Sequence, residues 1–442
     1  MSDHVLDRPW SGLSLLAFVF PTMVMMVFMG LYTVVDTVFV ARFVNTNALS
    51  AINMTCPVIN VTVGLGTMIA AGGNAVISRK MGAGNFKEAR EDFTFLILAG
   101  AAVGAGIFAA GTLCLDPIIR ALGASDLLFP YCKAYLGTLL WFIPANVVQT
   151  LFSNLFVTCG KPGMGFGLSV LAGVVNIVLD YVFIVTCDLG IQGAALGTGC
   201  GYLIPVIVGC VFFLRSKNLL SFTAPRWKWP VLRESCLNGS SEMVGQLSSA
   251  VTTFLFNRAM MNLLGEDGVA AVTIIIYSQF LLNTLYIGFS MGAAPIIGFN
   301  YGSKNIRRQR KVIWTCVGFI MAVSLAVFGL SITGGPRIAA LFAPDSSPVY
   351  AIAAEGFSVF SYGFLFCGLN LFASSMFTAL SDGRTSAVLS FLRTFVLLAG
   401  NILLLPRFFG VTGVWLAVPA AEGIMFCLSL ACLFRYKDKY SY

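Results

Sequence analysis

Two strings decide how this chain is built: MGAGNFKEAR at 81–90 and YGSKNIRRQR at 301–310. The shift of 220 residues that relates them also sets Ala51 on Ala271, Gly72 on Gly292, Gly82 on Gly302, Asn85 on Asn305 and Arg90 on Arg310. Further along, GIQGAALG at 190–197 falls on GVTGVWLA at 410–417, with Gly190 on Gly410 and Gly193 on Gly413. The chain is therefore a duplication, and each string follows the second long apolar run of its own copy.

Those runs define the environment. Of the 442 residues, 58% are hydrophobic and 10% are charged, against about 25% charged in soluble domains. Leu13 to Val35, Phe93 to Leu115, Met164 to Leu179 and Leu189 to Leu214 contain no charged residue. Each reaches or approaches the roughly 20 residues that cross about 30 Å of hydrocarbon. Backbone groups in lipid must bond internally, so runs of this length are helices. Twelve spans are predicted, at 13–41, 51–78, 93–115, 131–154, 163–186, 190–214, 235–262, 268–298, 311–332, 350–377, 386–406 and 412–434. The fold class is all-α and polytopic: two pseudo-symmetric six-helix bundles around a central cleft. An even number of spans per copy makes the repeat parallel, with its axis along the membrane normal. Residues 1–215 form the first bundle, 216–234 a cytoplasmic linker with Pro225 and Pro230, and 235–442 the second bundle. The first span is too long for a removed signal peptide.

Lys and Arg residues set the orientation. With the amino terminus inside, only Arg42, Arg120, Lys133, Arg337 and Arg407 fall near the outer side, and Arg258 falls within a span. All other basic residues, from Arg8 through Lys217 to Arg384, Arg393 and Lys439, are placed inside. Both termini are thus expected in the cytoplasm of a prokaryotic cell (inner) membrane. The net charge of +8 reflects this topology rather than a nucleic-acid partner. The twelve cysteines show no metal or disulfide spacing, and the single histidine, His4, lies in a polar tail. Histidine catalysis and structural metal sites are excluded, and no nucleophile–base motif suggests an enzyme.

Charged groups within spans are costly and usually functional. The first copy has two, Asp36 and Asp180, with Asn176 one helical turn before Asp180. By helical rise Asp36 lies about 9 Å below the outer surface, and Asp180 and Thr198 about 12 Å below it. The four side chains could hold a sodium ion or share a proton. At shifts of 220 and 221 the second copy has Phe256 and Asn401 instead. Packing twin bundles requires no such asymmetry, and a coupling site in one bundle does. Pro21 kinks the first helix fifteen residues before Asp36, and the helix is expected to bend differently with Asp36 protonated or ion-bound. Candidates for the substrate cleft are Glu242, Gln246, Met26, Met29, Asn146, Gln149, Tyr277, Gln279 and Asn283, with Asn60, Tyr286, Tyr362 and Asn370 as further possibilities. Flexible thioethers suit a promiscuous apolar pocket. Glu355 and Glu422 are further acids near spans, and Arg258 is a candidate partner for one of the acids.

The stretch PTMVMMVFMGLYTVVDTVFVARF (21–43), the string RKMGAGNFKEA with its echo, and NIVLDYVFI (176–184) followed by GIQGAALGT resemble the multidrug and toxic compound extrusion (MATE) family. The resemblance covers essentially the whole chain. It implies an antiporter that expels amphipathic, mostly cationic compounds by alternating access, driven by protons or sodium, with no cofactor. Members similar to the damage-inducible branch use a first-bundle coupling site, which carries over to Asp36, Asn176, Asp180 and Thr198, with Pro21 as the bending proline. A branch that couples through acids on the seventh and eighth helices fits less well, because only Glu242 is available there. A monomer in the lipid bilayer is expected. The alternative is a lipid-linked saccharide flippase of the same superfamily, which would need a cation-rich cleft where Arg258 alone is available.

Overall fold

The computed structural model describes residues 5–215, 220–342, 344 and 346–442; His4 and Lys217 lie outside them. Among the described residues twelve helical spans are present. In the first copy they are α1 Gly12–Phe43, α2 Thr46–Gly82 and α3 Phe86–Leu113. These are followed by α4, Phe129–Leu140 and Ile143–Thr158 bent by 54° between them, then α5 Pro162–Asp180, which runs on as a π-helical turn Tyr181–Thr186, and α6 Gly190–Arg215. The 63-residue helix Ser240–Gly302 breaks at Gly265 into α7 (240–264) and α8 (266–302). Next come α9 Ile306–Phe342 and α10, Pro348–Phe360 with Phe364–Ala379. Gly410 divides the last helical stretch into α11 (383–409) and α12 (411–440).

The duplication is written into the backbone. Gly190 and Gly410 take φ of 54° and 56°, so the turn before the sixth span of each copy uses the same left-handed glycine. Gly84 pairs with Lys304 (φ 81° and 54°), and Gly160 with Ser381 (φ 76° and 62°), although the second copy carries a side chain at each. Several helix starts are capped by side chains. Ser11 forms a capping box with Ser14, Asn45 accepts from the Ala48 amide, and Ser347 accepts from the Tyr350 amide.

Helices in lipid gain little from apolar burial against one another, so close packing decides how they associate. At the basic-loop end the copies cross through glycine. A β-carbon at Gly82 would stand 2.0 Å from the carbonyl oxygen of Phe299, and one at Gly302 would stand 1.9 Å from that of Arg79. Phe299 and Arg79 are themselves related by the shift of 220, so the crossing of α2 and α8 is reciprocal. The largest buried apolar cluster runs through both copies. A second cluster, which includes Val40, Ile52, Tyr135, Leu139 and Ile184, draws on the first copy alone. The copies are therefore welded at the basic-loop end, and the cluster farther along belongs to the first copy by itself.

The linker departs from expectation. Residues 235–238 belong to a short helix, Trp229–Asn238, and the seventh span begins only at Ser240, after a break at Gly239. Pro230 at the first turn starts that helix without needing its amide. Ion pairs tie it to the first copy: Lys228 to Glu91 and Asp92, both at 2.9 Å, and Arg79 to Glu234 at 2.8 Å. Burial works against the Lys228 charge, but hydrogen bonds and attraction from Glu91 and Asp92 outweigh it and hold the ammonium above the ordinary lysine pKa.

Candidate functional site

Three spans bring the first-copy acids together. Asp180 is 1% exposed and lies where α5 passes into its π-helical turn, a widening that re-aims side chains on the helix. Its carboxyl group is adjacent to that of Asp36 on α1. Asn176, one turn back and 2% exposed, donates from Nδ2 to Thr198 Oγ1 on α6 at 3.4 Å. All four predicted side chains are thus in one place. Gly197 on α6 makes room for them, since a β-carbon there would stand 2.0 Å from Asp180 Oδ1.

What these oxygens lack is donors. Asp36 Oδ1, both Asp180 oxygens and Asn176 Oδ1 are buried without a hydrogen-bond partner. Buried polar atoms are normally satisfied, and leaving a carboxylate unsatisfied is expensive. Oxygens from two acids and an amide, converging with a threonine hydroxyl, match the ligand chemistry of a small hard cation, and the paired carboxyls equally suit a shared proton. Tyr32, Tyr135 and Tyr202 stand around the pair, and Asn146 meets Tyr202. Sequence reasoning did not single out these tyrosines. Their signal was available, because Tyr32 precedes Asp36 by one helical turn and Tyr202 follows Thr198 by one.

The second copy differs at every one of these points. Phe256 is 2% exposed in the core, and Asn401 donates to the Ala417 carbonyl at 3.4 Å. Its buried acid is Glu422, 3% exposed, and here a correction is needed. Arg393 was expected at the inner surface, yet it lies within α11, where its Nε and Nη2 donate to Glu422 Oε1 at 2.8 and 2.7 Å. Ten residues into a helix is about 15 Å along its axis, far enough to carry Arg393 into the bundle. Asn370 donates to Glu422 Oε2 at 2.7 Å and accepts from Ser429 at 2.9 Å. Arg258, by contrast, is exposed and makes no ion pair among the described residues.

The cleft candidates divide. Glu242 at the start of α7, Gln246, Gln149, Gln279, Asn60, Met26 and Met29 are half-buried, and Tyr277 is exposed. Gln246 packs near Gly64 of α2, where the copies face each other. Others have partners within their own bundle. Tyr286 is fully buried and donates to the Phe364 carbonyl, Asn370 belongs to the Glu422 network, and Asn283 accepts from the Cys367 thiol. Asn146 is 6% exposed inside the first bundle, and Tyr362 packs on Phe328 of α9. Long α-helical side chains reach back over the preceding turn, which sequence spacing does not reveal. Pro21 lies inside α1, whose helical geometry is unbroken. Among the described residues no group of three His, Cys, Asp or Glu is placed to hold a metal.

Twin six-helix bundles with a polar site inside one of them define a membrane transporter rather than an enzyme. The MatE family model matches residues 21–182 and 243–403, one block in each copy, and the chain belongs to that family. Among curated relatives, the multidrug export protein MepA of Staphylococcus saprophyticus is 24% identical over 426 residues, covering 95% of this chain and 92% of its own. An outward-facing multidrug resistance MATE transporter of the MOP superfamily superposes with a TM-score of 0.93 at 20% identity, over 100% of this chain and 99% of its own. A MATE solved in complex with MaL6 gives 0.94 at 19% identity, with the same coverage. MATE structures hold twelve membrane helices in two bundles, as this chain does.

Proposed function

We propose that this chain is a cation-coupled antiporter that exports amphipathic, mostly cationic organic compounds. The observation that carries the reading is the cluster of buried, unpartnered oxygens on Asp36, Asp180 and Asn176, present in one bundle only. Two adjacent carboxylates away from water cannot both stay ionised without a cation. A proton or a sodium ion entering from outside satisfies them and neutralises the first bundle. Its release inward returns the charge, and that difference between loaded and empty states is what alternating access needs. The multidrug export relatives support the drug substrates, and the basic loops support cytoplasmic termini and a cleft opening outward. The bundles correspond to 1–215 and 235–442, with the linker between them. A flippase reading gains nothing from Arg393, because Glu422 neutralises it.

The test is ethidium efflux from energised vesicles, run separately under a pH gradient and a sodium gradient. Asp36→Asn and Asp180→Asn should still bind dye and lose uphill efflux, and the gradient that drives wild type names the ion. Normal pumping by both variants would make the cluster structural and overturn the reading. Pro21→Ala should slow efflux without weakening dye binding, if α1 bends on loading; unchanged efflux would remove the bending step alone.

A further inference from the structure

A cavity of about 430 Å³ opens at the basic-loop end, between the linker helix Trp229–Asn238 and the loop that starts α11. Its wall brings together Arg233 and Asn238 from the linker with Ser381 and Arg384 from the second copy. Two carboxylates also line it, and both are already bound. Glu234 pairs with Arg79 at 2.8 Å. Asp382 accepts from the Tyr440 hydroxyl at 2.5 Å and the Thr385 hydroxyl at 2.8 Å, with Lys439 at 3.6 Å. Arg233 and Arg384, by contrast, are exposed and make no ion pair among the described residues. The charge left over in the cavity is therefore positive.

A second, independent observation lies at the back of the cavity. Asn238 is 4% exposed, and its Oδ1 accepts from the Gly383 amide at 3.2 Å, which fixes the side-chain orientation. Its Nδ2 is thereby left buried with no acceptor, and Ser381 Oγ beside it is likewise buried and unpartnered. An unmet amide donor and an unmet hydroxyl, in a wall shared with two arginines, suit an acceptor with several oxygens and negative charge. At the rim Trp229, 60% exposed, stacks on the neighbouring Trp227, 78% exposed, with ring centroids 6.5 Å apart. Exposed tryptophans beside arginines are typical of a membrane–water interface, where basic pockets take lipid head groups.

We propose that this cavity is a phosphate-binding site, taking either the head group of an anionic phospholipid or free inorganic phosphate. The oxygens would meet Arg233, Arg384, Asn238 Nδ2 and Ser381 Oγ, joining the linker to the second copy. This site lies apart from the Asp36–Asp180 cluster and does not depend on the antiport reading.

Purified full-length protein would be melted in detergent with phosphatidylglycerol, with phosphatidylcholine, and with sodium phosphate against sodium chloride of equal ionic strength. A saturating ligand should raise the melting temperature by roughly 2–4 °C. A rise with phosphatidylglycerol alone assigns the site to lipid, and a rise with inorganic phosphate as well assigns it to the phosphate group itself. No rise with either, or an equal rise with phosphatidylcholine, overturns the proposal. Arg233→Gln with Arg384→Gln should abolish the rise. Asn238→Asp provides a variant that keeps the acceptor for the Gly383 amide while replacing the donor with a carboxylate. It should weaken phosphate binding at least about tenfold, and wild-type binding by both variants would also refute the site.

Discussion

The two bundles descend from one repeat, yet they handle buried charge in opposite ways. In the first, Asp36 and Asp180 sit side by side with oxygens that nothing satisfies. In the second, Glu422 has a guanidinium on one oxygen and an amide on the other. At the positions equivalent to the acids, the second bundle has put a buried phenylalanine and an asparagine that bonds the Ala417 carbonyl. A saturated pair can be replaced by apolar groups at little cost. An unsatisfied pair persists in a fold only if some state of the protein uses it. The comparison teaches that the halves differ in their acids: the first leaves its carboxylates without donors, and in the proposed antiport a cation would supply what they lack.

This contrast can be broken experimentally. The largest effect is expected from Asp180→Asn, which gives the first bundle the residue the second bundle already has. Uphill efflux should fall to background while the melting temperature holds or rises, since a buried charge is removed; a lower melting temperature with efflux retained would reverse the assignment. Next comes Arg393→Leu, which strands Glu422 and should cost about 3–5 kcal/mol. Adding Glu422→Leu should recover most of that loss, as read by thermal unfolding, with transport little changed. A smaller effect is expected at Gly197, where alanine would press on Asp180 Oδ1. Displacing the carboxylate by about 1 Å should slow coupled efflux by roughly tenfold to a hundredfold. Smallest is the reciprocal swap at the matching position, Ala417→Gly, which should cost about 1 kcal/mol of stability and leave efflux alone.

Much of this was legible in the sequence because lipid simplifies the code. Uncharged runs gave the twelve spans, and the strings at 81–90 and 301–310 gave the repeat. The asymmetry of Asp36 and Asp180 against Phe256 and Asn401 singled out the two acids, and the structure brings Asp36, Asn176, Asp180 and Thr198 together. Arg393 was misplaced because charge near the end of an apolar run reads equally as a loop, and only its partner in the next span, Glu422, settles its depth. Tyr286 and Asn370 are buried away from solvent, which the sequence did not show because spacing fixes a helical face but not which neighbour that face meets. The linker helix was hidden by its low hydropathy, since its hold on the first copy combines ion pairs with the burial of only a few apolar side chains, Val231 among them.

The reciprocal crossing of Gly82 over Phe299 and Gly302 over Arg79 has a bearing on how such a transporter changes over generations. A contact made where two main chains touch does not depend on which side chains surround it. Side chains elsewhere can therefore accumulate substitutions while the contact between the two main chains stays as it is. The same economy has a rigid edge: either glycine, once replaced, has no alternative residue to compensate for it, so these two positions should be the slowest in the chain to vary.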